Sequence, residues 1–188
     1  MTAMELVRPA LAHLASYRAA LERGWSPDNI RGEAATREQL AEIARDSRAF
    51  VDRMIDREAK GPPIELLDGT IVRRIPGYTL WMWDGEFCGS INFRWQPGTS
   101  ELPAHVLGHI GYAVVPWKRR LGYGTRALAS MLVEARREGL GHVEITADED
   151  NAASHKIILN NGGVLAGRFV KPAALGGKPS LRYRIDLF

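Results

Sequence analysis

At residues 112–128 the chain reads YAVVPWKRRLGYGTRAL. Pro116 ends a predicted strand, because proline has no N–H group to donate to a sheet ladder, and a helix is predicted to begin at about Thr125. A helix N-terminus leaves backbone N–H groups unpaired and carries a partial positive charge. The glycines Gly122 and Gly124 would let a ligand approach that backbone closely. The stretch therefore predicts an anion site between a strand and a helix.

The glycine spacing excludes two common phosphate-binding motifs. No Gly-Lys-Ser/Thr follows the glycines, as a P-loop requires, and the third glycine of the dinucleotide-binding fingerprint is absent. From the residues alone, a plain turn whose basic side chains (Lys118, Arg119 and Arg120) are solvated remains an alternative to a phosphate site.

Composition narrows the class of protein. The 188 residues are 45% hydrophobic and 25% charged, which is typical of a globular domain. The basic residues are scattered and the net charge is only +3, so no nucleic-acid partner is expected. No apolar run predicts a membrane span or a signal peptide, and we expect a cytoplasmic protein without a membrane partner. Cys88 is the single cysteine, which excludes an intramolecular disulfide and a cysteine-cluster metal site; no metal is expected.

Helical patterns come first in the chain. Apolar residues recur at helical spacing over residues 9–22, and Gly24 can end this helix. Thr36 followed by Gln39 forms a capping-box pattern. It predicts a second helix that reaches Met54 and is stopped by KGPP at residues 60–63.

The pattern then changes to strands. YTLWMWDGEFCGSINFRW, residues 78–95, predicts a hairpin that turns at Asp84-Gly85. Strict alternation would place Phe87, Gly89, Ile91, Phe93 and Trp95 on one face, and Cys88, Ser90, Asn92 and Arg94 on the other. HIGYAVV at residues 109–115 predicts a third strand.

The second half alternates strands and helices. A helix is predicted over residues 125–138 with the apolar stripe Ala127, Leu128, Met131, Leu132 and Ala135, followed by a strand at 142–147. Asn151 can cap a short helix that ends at Asn161-Gly162-Gly163. Two strands, 164–171 and 181–188, close the chain. This order predicts an α/β (α+β) fold with a mixed sheet and helices on both faces.

The central stretch resembles the acyl-CoA-binding segment of the GCN5-related N-acetyltransferase (GNAT) superfamily, in particular a poorly characterised bacterial branch. The matching positions are Val114, Pro116, Arg119, Gly122 and Gly124. A second block, DNAASHKIILNNGG at residues 150–163, resembles the segment that follows in the family, with Asn151, Ser154 and Gly162 in register. The resemblance covers nearly the whole chain and is weakest over residues 25–75.

The resemblance implies a GNAT-like fold with a mixed, largely antiparallel central sheet. It also implies a single domain, residues 1–188: an N-terminal helical part (1–63), strands (64–115), an acyl-CoA-binding core (116–163) and C-terminal strands (164–188). The implied binding residues hold the pantetheine arm and the phosphates of acetyl-CoA, the expected cosubstrate. They are Tyr112, Ala113, Val114, Arg119, Arg120, Leu121, Gly122, Tyr123, Gly124, Thr125, Asn151 and Ser154, with Lys118 as a further cation.

The implied activity is transfer of an acetyl group from acetyl-CoA to a primary amine of a small molecule or peptide, by direct attack in a ternary complex. The alternative is a catalytically inactive acyl-CoA-binding sensor or interaction module. Homodimers are common in the family, so a homodimer is a further expectation. Asn92 and Arg94 are candidates to line the acceptor cleft, with the N-terminal helices and the loop 96–108 as specificity elements.

Two common catalytic residues of the family are missing. Ile158 stands where many members have a tyrosine acid, and Thr146 where many have a glutamate base. The catalytic candidates that remain are His109 as base and Tyr112 and Tyr183 as acid. A structural or solvated role is the alternative for His109. His105, Glu101 and Asp148 are further candidates, and a water could also carry the proton away.

Overall fold

The computed structural model describes residues 3–188. Its helices are α1 (Leu11–Glu22), α2 (Glu33–Arg45), α3 (Ser47–Asp52), α4 (Tyr123–Arg137) and α5 (Ala152–Leu159). Its strands are β1 (Glu5–Val7), β2 (Ile55–Asp56), β3 (Ile64–Glu65), β4 (Ile71–Val72), β5 (Gly77–Trp83), β6 (Phe87–Arg94), β7 (Ile110–Val114), β8 (His142–Asp148), β9 (Val164–Val170) and β10 (Pro179–Asp186). None of the helices within this range is long and apolar enough to cross a membrane.

The fold has two main sheets with an opening between them. The first sheet has the order β1-β5-β6-β7, with β2 also paired to β5, and the second has the order β8-β10-β9. The paired strands are antiparallel. The backbone N–H of His109 donates to the carbonyl of Glu144 at 2.8 Å and joins the sheets just before β7 begins. Beyond this link β7 and β8 share no ladder, so one edge of β7 is left without a strand partner.

Helices cover both faces of this arrangement, as the sequence predicts. On one side, here called the α4 face, the predicted stripe of α4 is buried against β6, β8 and β10. On the other side, the α1–α3 face, residues of the first three helices pack on Trp81, Phe87 and Val115. The ring of Tyr17 stacks on that of Trp81 with centroids 4.5 Å apart. The predicted fold class is therefore confirmed.

The N-terminal region differs from its prediction. Two short strands, β1 and β2, lie within the part predicted to be helical. The second helix is broken at Asp46, whose carboxylate caps α3 by accepting a hydrogen bond from Ala49 N at 2.9 Å. Thr36 lies inside α2 instead of capping it, and its hydroxyl donates to the carbonyl of Trp25 at 3.2 Å. A contact of Thr36 with a separate segment and a local cap by Asp46 thus replace the predicted single helix.

The hairpin at Asp84-Gly85 is confirmed, but the predicted faces of β6 are wrong at one end. Trp83 pairs with Phe87 and Met82 pairs with Gly89, so Cys88 is an extra, bulged residue. Phe87 therefore packs on the α1–α3 face, whereas Cys88 joins Ile91 on the α4 face. Gly89 has φ +151°, and a Cβ there would lie 2.3 Å from the carbonyl oxygen of Ala113. The bulge therefore needs glycine.

Candidate active site

The loop before α4 presents a row of unpaired backbone amides. Gly122 caps the helix with φ +76°, and Arg120 also has a positive φ of +64°. After Arg119, the next amide with a protein acceptor is that of Arg126, which donates to Gly122 O at 3.1 Å. In the described chain, the N–H groups of residues 120–125 therefore have no protein partner. Successive free amides at a helix N-terminus form a concave site for an anion.

A buried carboxylate holds this loop in place. The ammonium of Lys118 pairs with Asp84 at 2.9 Å and with Glu86 at 2.7 Å, and the hydroxyl of Tyr123 donates to Asp84 at 2.6 Å. Burial opposes ionisation of Asp84. Hydrogen bonds from Tyr123, Lys118 and Cys88 outweigh it and lower the pKa of Asp84 to about 2. The hydrogen bond to Glu86 is the largest of the effects that raise the pKa of Lys118.

The three basic residues at positions 118–120 have two different roles. Lys118 is tied to the hairpin that joins β5 and β6, whereas Arg119 and Arg120 are exposed. The Nε of Arg119 lies 3.4 Å from the carbonyl of Val114, and neither arginine has a carboxylate partner among residues 3–188. Arg119 and Arg120 are therefore the cations of this loop that remain available to a ligand.

The start of α5 lies across the opening from β7. The carboxamide oxygen of Asn151 accepts a hydrogen bond from Ser154 N at 3.1 Å, which is the predicted helix cap. The hydroxyl of Tyr112 lies 3.4 Å from the carbonyl of Ser154, and burial raises the pKa of Tyr112 to about 12. A Cβ at Gly124 would lie 2.7 Å from the side chain of Ile157, so this glycine lets the first turn of α4 pack closely on α5. The two predicted blocks are thus brought together at one end of β7.

His109 has no exposed surface. Its Nδ1 accepts a hydrogen bond from Glu144 N at 2.9 Å, and its Nε2 is enclosed without a partner. Burial is the main reason that the pKa of His109 is lowered to about 4. A base that a substrate cannot reach, and that binds protons so weakly, is poorly suited to take a proton from an ammonium group. This placement favours the structural role for His109.

Tyr183 is buried on the α4 face beneath α5, where its hydroxyl lies 3.0 Å from Nδ1 of His155. The other candidates are spread over the molecule. His105 contacts the carbonyl of Arg73, Glu101 is exposed, and Asp148 is paired with Lys171.

Glu144 is a further carboxylate beside the predicted site residues, and it is not among those predicted from the sequence. Val143, Ile145 and Ala147 of β8 are buried on the α4 face, so Glu144 and Thr146 point to the opposite, α1–α3 face. The carboxylate of Glu144 lies 3.5 Å from the guanidinium of Arg182 on β10. The alternation of HVEITAD contained the signal, because a carboxylate two residues before Thr146 must share its face. No group of three or more His, Cys, Asp or Glu side chains that could hold a metal ion occurs among the described residues.

Asn92 and Arg94 lie together on the α1–α3 face of β6. Nη2 of Arg94 donates to Oδ1 of Asn92 at 2.5 Å, and Asn92 pairs with Gly111 of β7. Trp81 and Trp95 are buried in the core. The segment between β9 and β10 contacts two loops: Leu67 N donates to Ala174 O at 3.3 Å, and a Cβ at Gly176 would lie 3.5 Å from Ile30, between α1 and α2.

Comparison with protein families gives one match. The model of the Acetyltransferase (GNAT) family matches residues 37–160. A search of the curated proteins finds no match.

Solved structures share the fold at low sequence identity. The Microcin C7 self-immunity acetyltransferase MccE, in complex with acetyl-CoA and AMP, is 17% identical with a TM-score of 0.63, and the match covers 97% of this chain and 92% of that one. RimL, the ribosomal L7/L12 α-N-protein acetyltransferase in complex with coenzyme A, is 15% identical with a TM-score of 0.64, covering 99% and 95%. An acetyltransferase (GNAT family) from Bacillus anthracis is 14% identical with a TM-score of 0.61, covering 98% and 95%.

Proposed function

Because the chain belongs to the GNAT acetyltransferase family, we propose that it transfers the acetyl group of acetyl-CoA to a primary amine by direct attack in a ternary complex. Its acyl donor is acetyl-CoA, with which similar structures have been solved. The observation that carries the proposal is the row of free amides over residues 120–125, next to the unpaired edge of β7. These features fit a ligand that has a pyrophosphate at one end and an amide-containing arm.

The proposed acetyl-CoA site, here called the donor side, has two parts. The pyrophosphate lies on the amides of residues 120–125, with Arg119 and Arg120 supplying positive charge. The arm follows β7 at Tyr112, Ala113 and Val114, whose backbone borders the opening. Asn151 and Ser154 approach it from the start of α5.

The reaction itself needs a proton acceptor and a proton donor. The ammonium first loses one proton to give the neutral amine, whose nitrogen then forms a bond to the thioester carbonyl carbon. The C–S bond breaks, the nitrogen loses its second proton and the thiolate gains one, so that one proton is released in total. We assign the first role to Glu144, directly or through a water, because its carboxylate lies on the α1–α3 face of β8. Tyr112 and Tyr183 remain the proposed acids on the α4 face.

The acceptor is an amine of a small molecule or peptide. RimL is described as an α-N-protein acetyltransferase of ribosomal L7/L12, which is consistent with this class of acceptor. A cytoplasmic location and a homodimer stay predictions. Absence of turnover with every amine tried, in a protein that binds acetyl-CoA, would favour the alternative of an inactive acyl-CoA-binding sensor.

The direct test is calorimetric titration of coenzyme A into the double variant Arg119→Glu/Arg120→Glu. Each lost hydrogen bond to a charged group is worth about 1.5–3 kcal/mol, so we expect at least about 10-fold weaker binding. The matched control is Arg45→Glu/Arg48→Glu, which changes net charge equally at exposed positions of α2 and α3. Equal affinities for both variants and the wild type would contradict the proposed phosphate site.

A further inference from the structure

Arg94 is a half-buried cation without a carboxylate partner in the described part of the chain. Its one side-chain hydrogen bond goes to Asn92. A guanidinium has five N–H donors, so most of this capacity is unused. Burial lowers the pKa of Arg94. Burying a charge without a partner costs free energy. A group of opposite charge bound to Arg94 would offset that cost.

Two carboxylates of β8 already have cationic partners. Glu144 approaches Arg182, and Asp148 pairs with Lys171 and, at 3.6 Å, with Lys178. Neither could pair with Arg94 without giving up its own cation. No carboxylate among residues 3–188 forms an ion pair with Arg94, so its counter-charge can be supplied by a ligand.

The N–H groups of Arg94 that make no hydrogen bond are not fully enclosed by protein atoms. Side-chain atoms that are enclosed without a partner in residues 3–188 include Arg182 Nε and His109 Nε2, but no atom of Arg94. The unused N–H groups of Arg94 thus reach accessible space. A Cβ at Gly111 would lie 3.2 Å from the Asn92 carboxamide and 3.3 Å from Arg94 Nη2. Because residue 111 is glycine, no side chain of β7 covers the pair.

This position matters for the acceptor. Gly111 immediately precedes Tyr112, where the acyl donor is proposed to run. Arg94 and Asn92 lie on the α1–α3 face, which also carries the proposed proton acceptor Glu144. A group held by Arg94 would therefore lie beside the acetyl donor, on the side from which an amine can approach.

We propose that Arg94 and Asn92 bind an oxyanion of the acceptor, so that the preferred acceptors are small amines, such as amino acids, that carry a carboxylate close to the amine. The fork of the guanidinium matches the two oxygens of a carboxylate. The inference rests on the proposed function and names its substrate class. A phosphate offers the same chemistry, and the test separates the two. An internal peptide amide carries no such charge, so small acceptors are favoured over peptides.

The first experiment compares matched acceptors with the wild-type enzyme. Each standard amino acid is paired with its carboxamide, which has the same carbon skeleton but no carboxylate, and O-phosphoethanolamine is paired with ethanolamine. We expect kcat/KM to be higher for at least one amino acid than for its carboxamide by about 10-fold or more, the value of a charge-assisted hydrogen bond. A larger preference within the phosphate pair would instead identify a phosphorylated amine. Equal kcat/KM within every pair overturns the inference.

Two variants connect the preference to this site. Arg94→Gln should reduce the ratio of kcat/KM between the charged and uncharged member of the preferred pair to near one. The control Arg137→Gln, at an exposed position of α4, should keep the wild-type ratio. Asn92→Asp places a carboxylate against Arg94 at the 2.5 Å contact. This internal partner should raise the melting temperature and also abolish the preference. A structural role for Arg94 predicts the higher melting temperature with an unchanged preference.

The failures of the two proposals differ. Loss of coenzyme A binding or of turnover with all amines counts against the proposed function. Turnover that ignores the charge of the acceptor counts against the role of Arg94 alone. If no amine reacts, calorimetry of the same pairs with the enzyme saturated with coenzyme A gives the decision: an amino acid that binds no better than its carboxamide overturns the inference.

Discussion

Two cations beside the opening between β7 and β8, Lys118 on the proposed donor side and Arg94 on the proposed acceptor side, are held in opposite ways. On the donor side, Lys118 is neutralised by Asp84 and Glu86, and this network fixes the loop of free amides. On the acceptor side, Arg94 has only the neutral Asn92 as a partner. The difference shows that a basic residue in a motif can stabilise the loop itself, whereas the arginine without a carboxylate partner is the one that we propose to bind a ligand.

The largest expected effect on the free energy of unfolding comes from His109, because this side chain has no exposed surface. Its folded-state pKa of about 4 lies below the ordinary value of 6.5, so the unfolded chain binds the proton first. The stability that this group contributes is therefore present above about pH 6.5 and lost as the pH falls towards 4, by about 3 kcal/mol in total. Urea unfolding at several pH values should show this loss in the wild type but not in His109→Gln.

The same variant tests whether His109 acts as the base. Since the histidine is neutral at physiological pH, His109→Gln should keep the shape of the wild-type pH–rate profile between about pH 6 and 9. If the variant loses an inflection that the wild-type pH–rate profile has, His109 acts as the base after all.

Asp84, beside the proposed donor site, has the next largest expected effect on the free energy of unfolding. Its pKa of about 2 lies below the usual 3.8, so its contribution is present above about pH 4 and lost as the pH falls through 2. The shift corresponds to about 2 kcal/mol. Asp84→Asn should lower the free energy of unfolding at neutral pH by about this amount, as measured by urea titration, and should weaken coenzyme A binding because Lys118 and Tyr123 lose their anchor.

The matched variant at Glu86 has the smallest expected effect on the free energy of unfolding. It also contacts Lys118, but its side chain is 54% exposed, so Glu86→Gln should cost less than about 1 kcal/mol. If the two variants are equally destabilised, the network around Asp84 does not hold the loop, and the contrast between the two sides fails.

Local signals made much of this fold predictable. The Asp84-Gly85 turn, the stripe of α4 and the cap at Asn151 each depend on a few neighbouring residues, and the structure contains all three. The free amides follow from the same logic, because a helix start and two glycines are readable from sequence.

What could not be predicted depends on contacts between distant segments. The bulge at Cys88 is set by the close approach of Gly89 to Ala113 on the next strand, and Thr36 lies inside α2, where its hydroxyl donates to the carbonyl of Trp25. The partner of Lys118 is 34 residues away. The isolation of Arg94 is still harder to predict, because it requires knowing where every nearby carboxylate goes.

The measurement that tests the central claim most directly is amide hydrogen exchange of the protein with and without saturating coenzyme A. The account predicts slower exchange in peptides that cover residues 112–125, where free amides and the open edge of β7 meet, with little change in the α2–α3 region. Unchanged exchange over residues 120–125 in a protein that binds coenzyme A would contradict it.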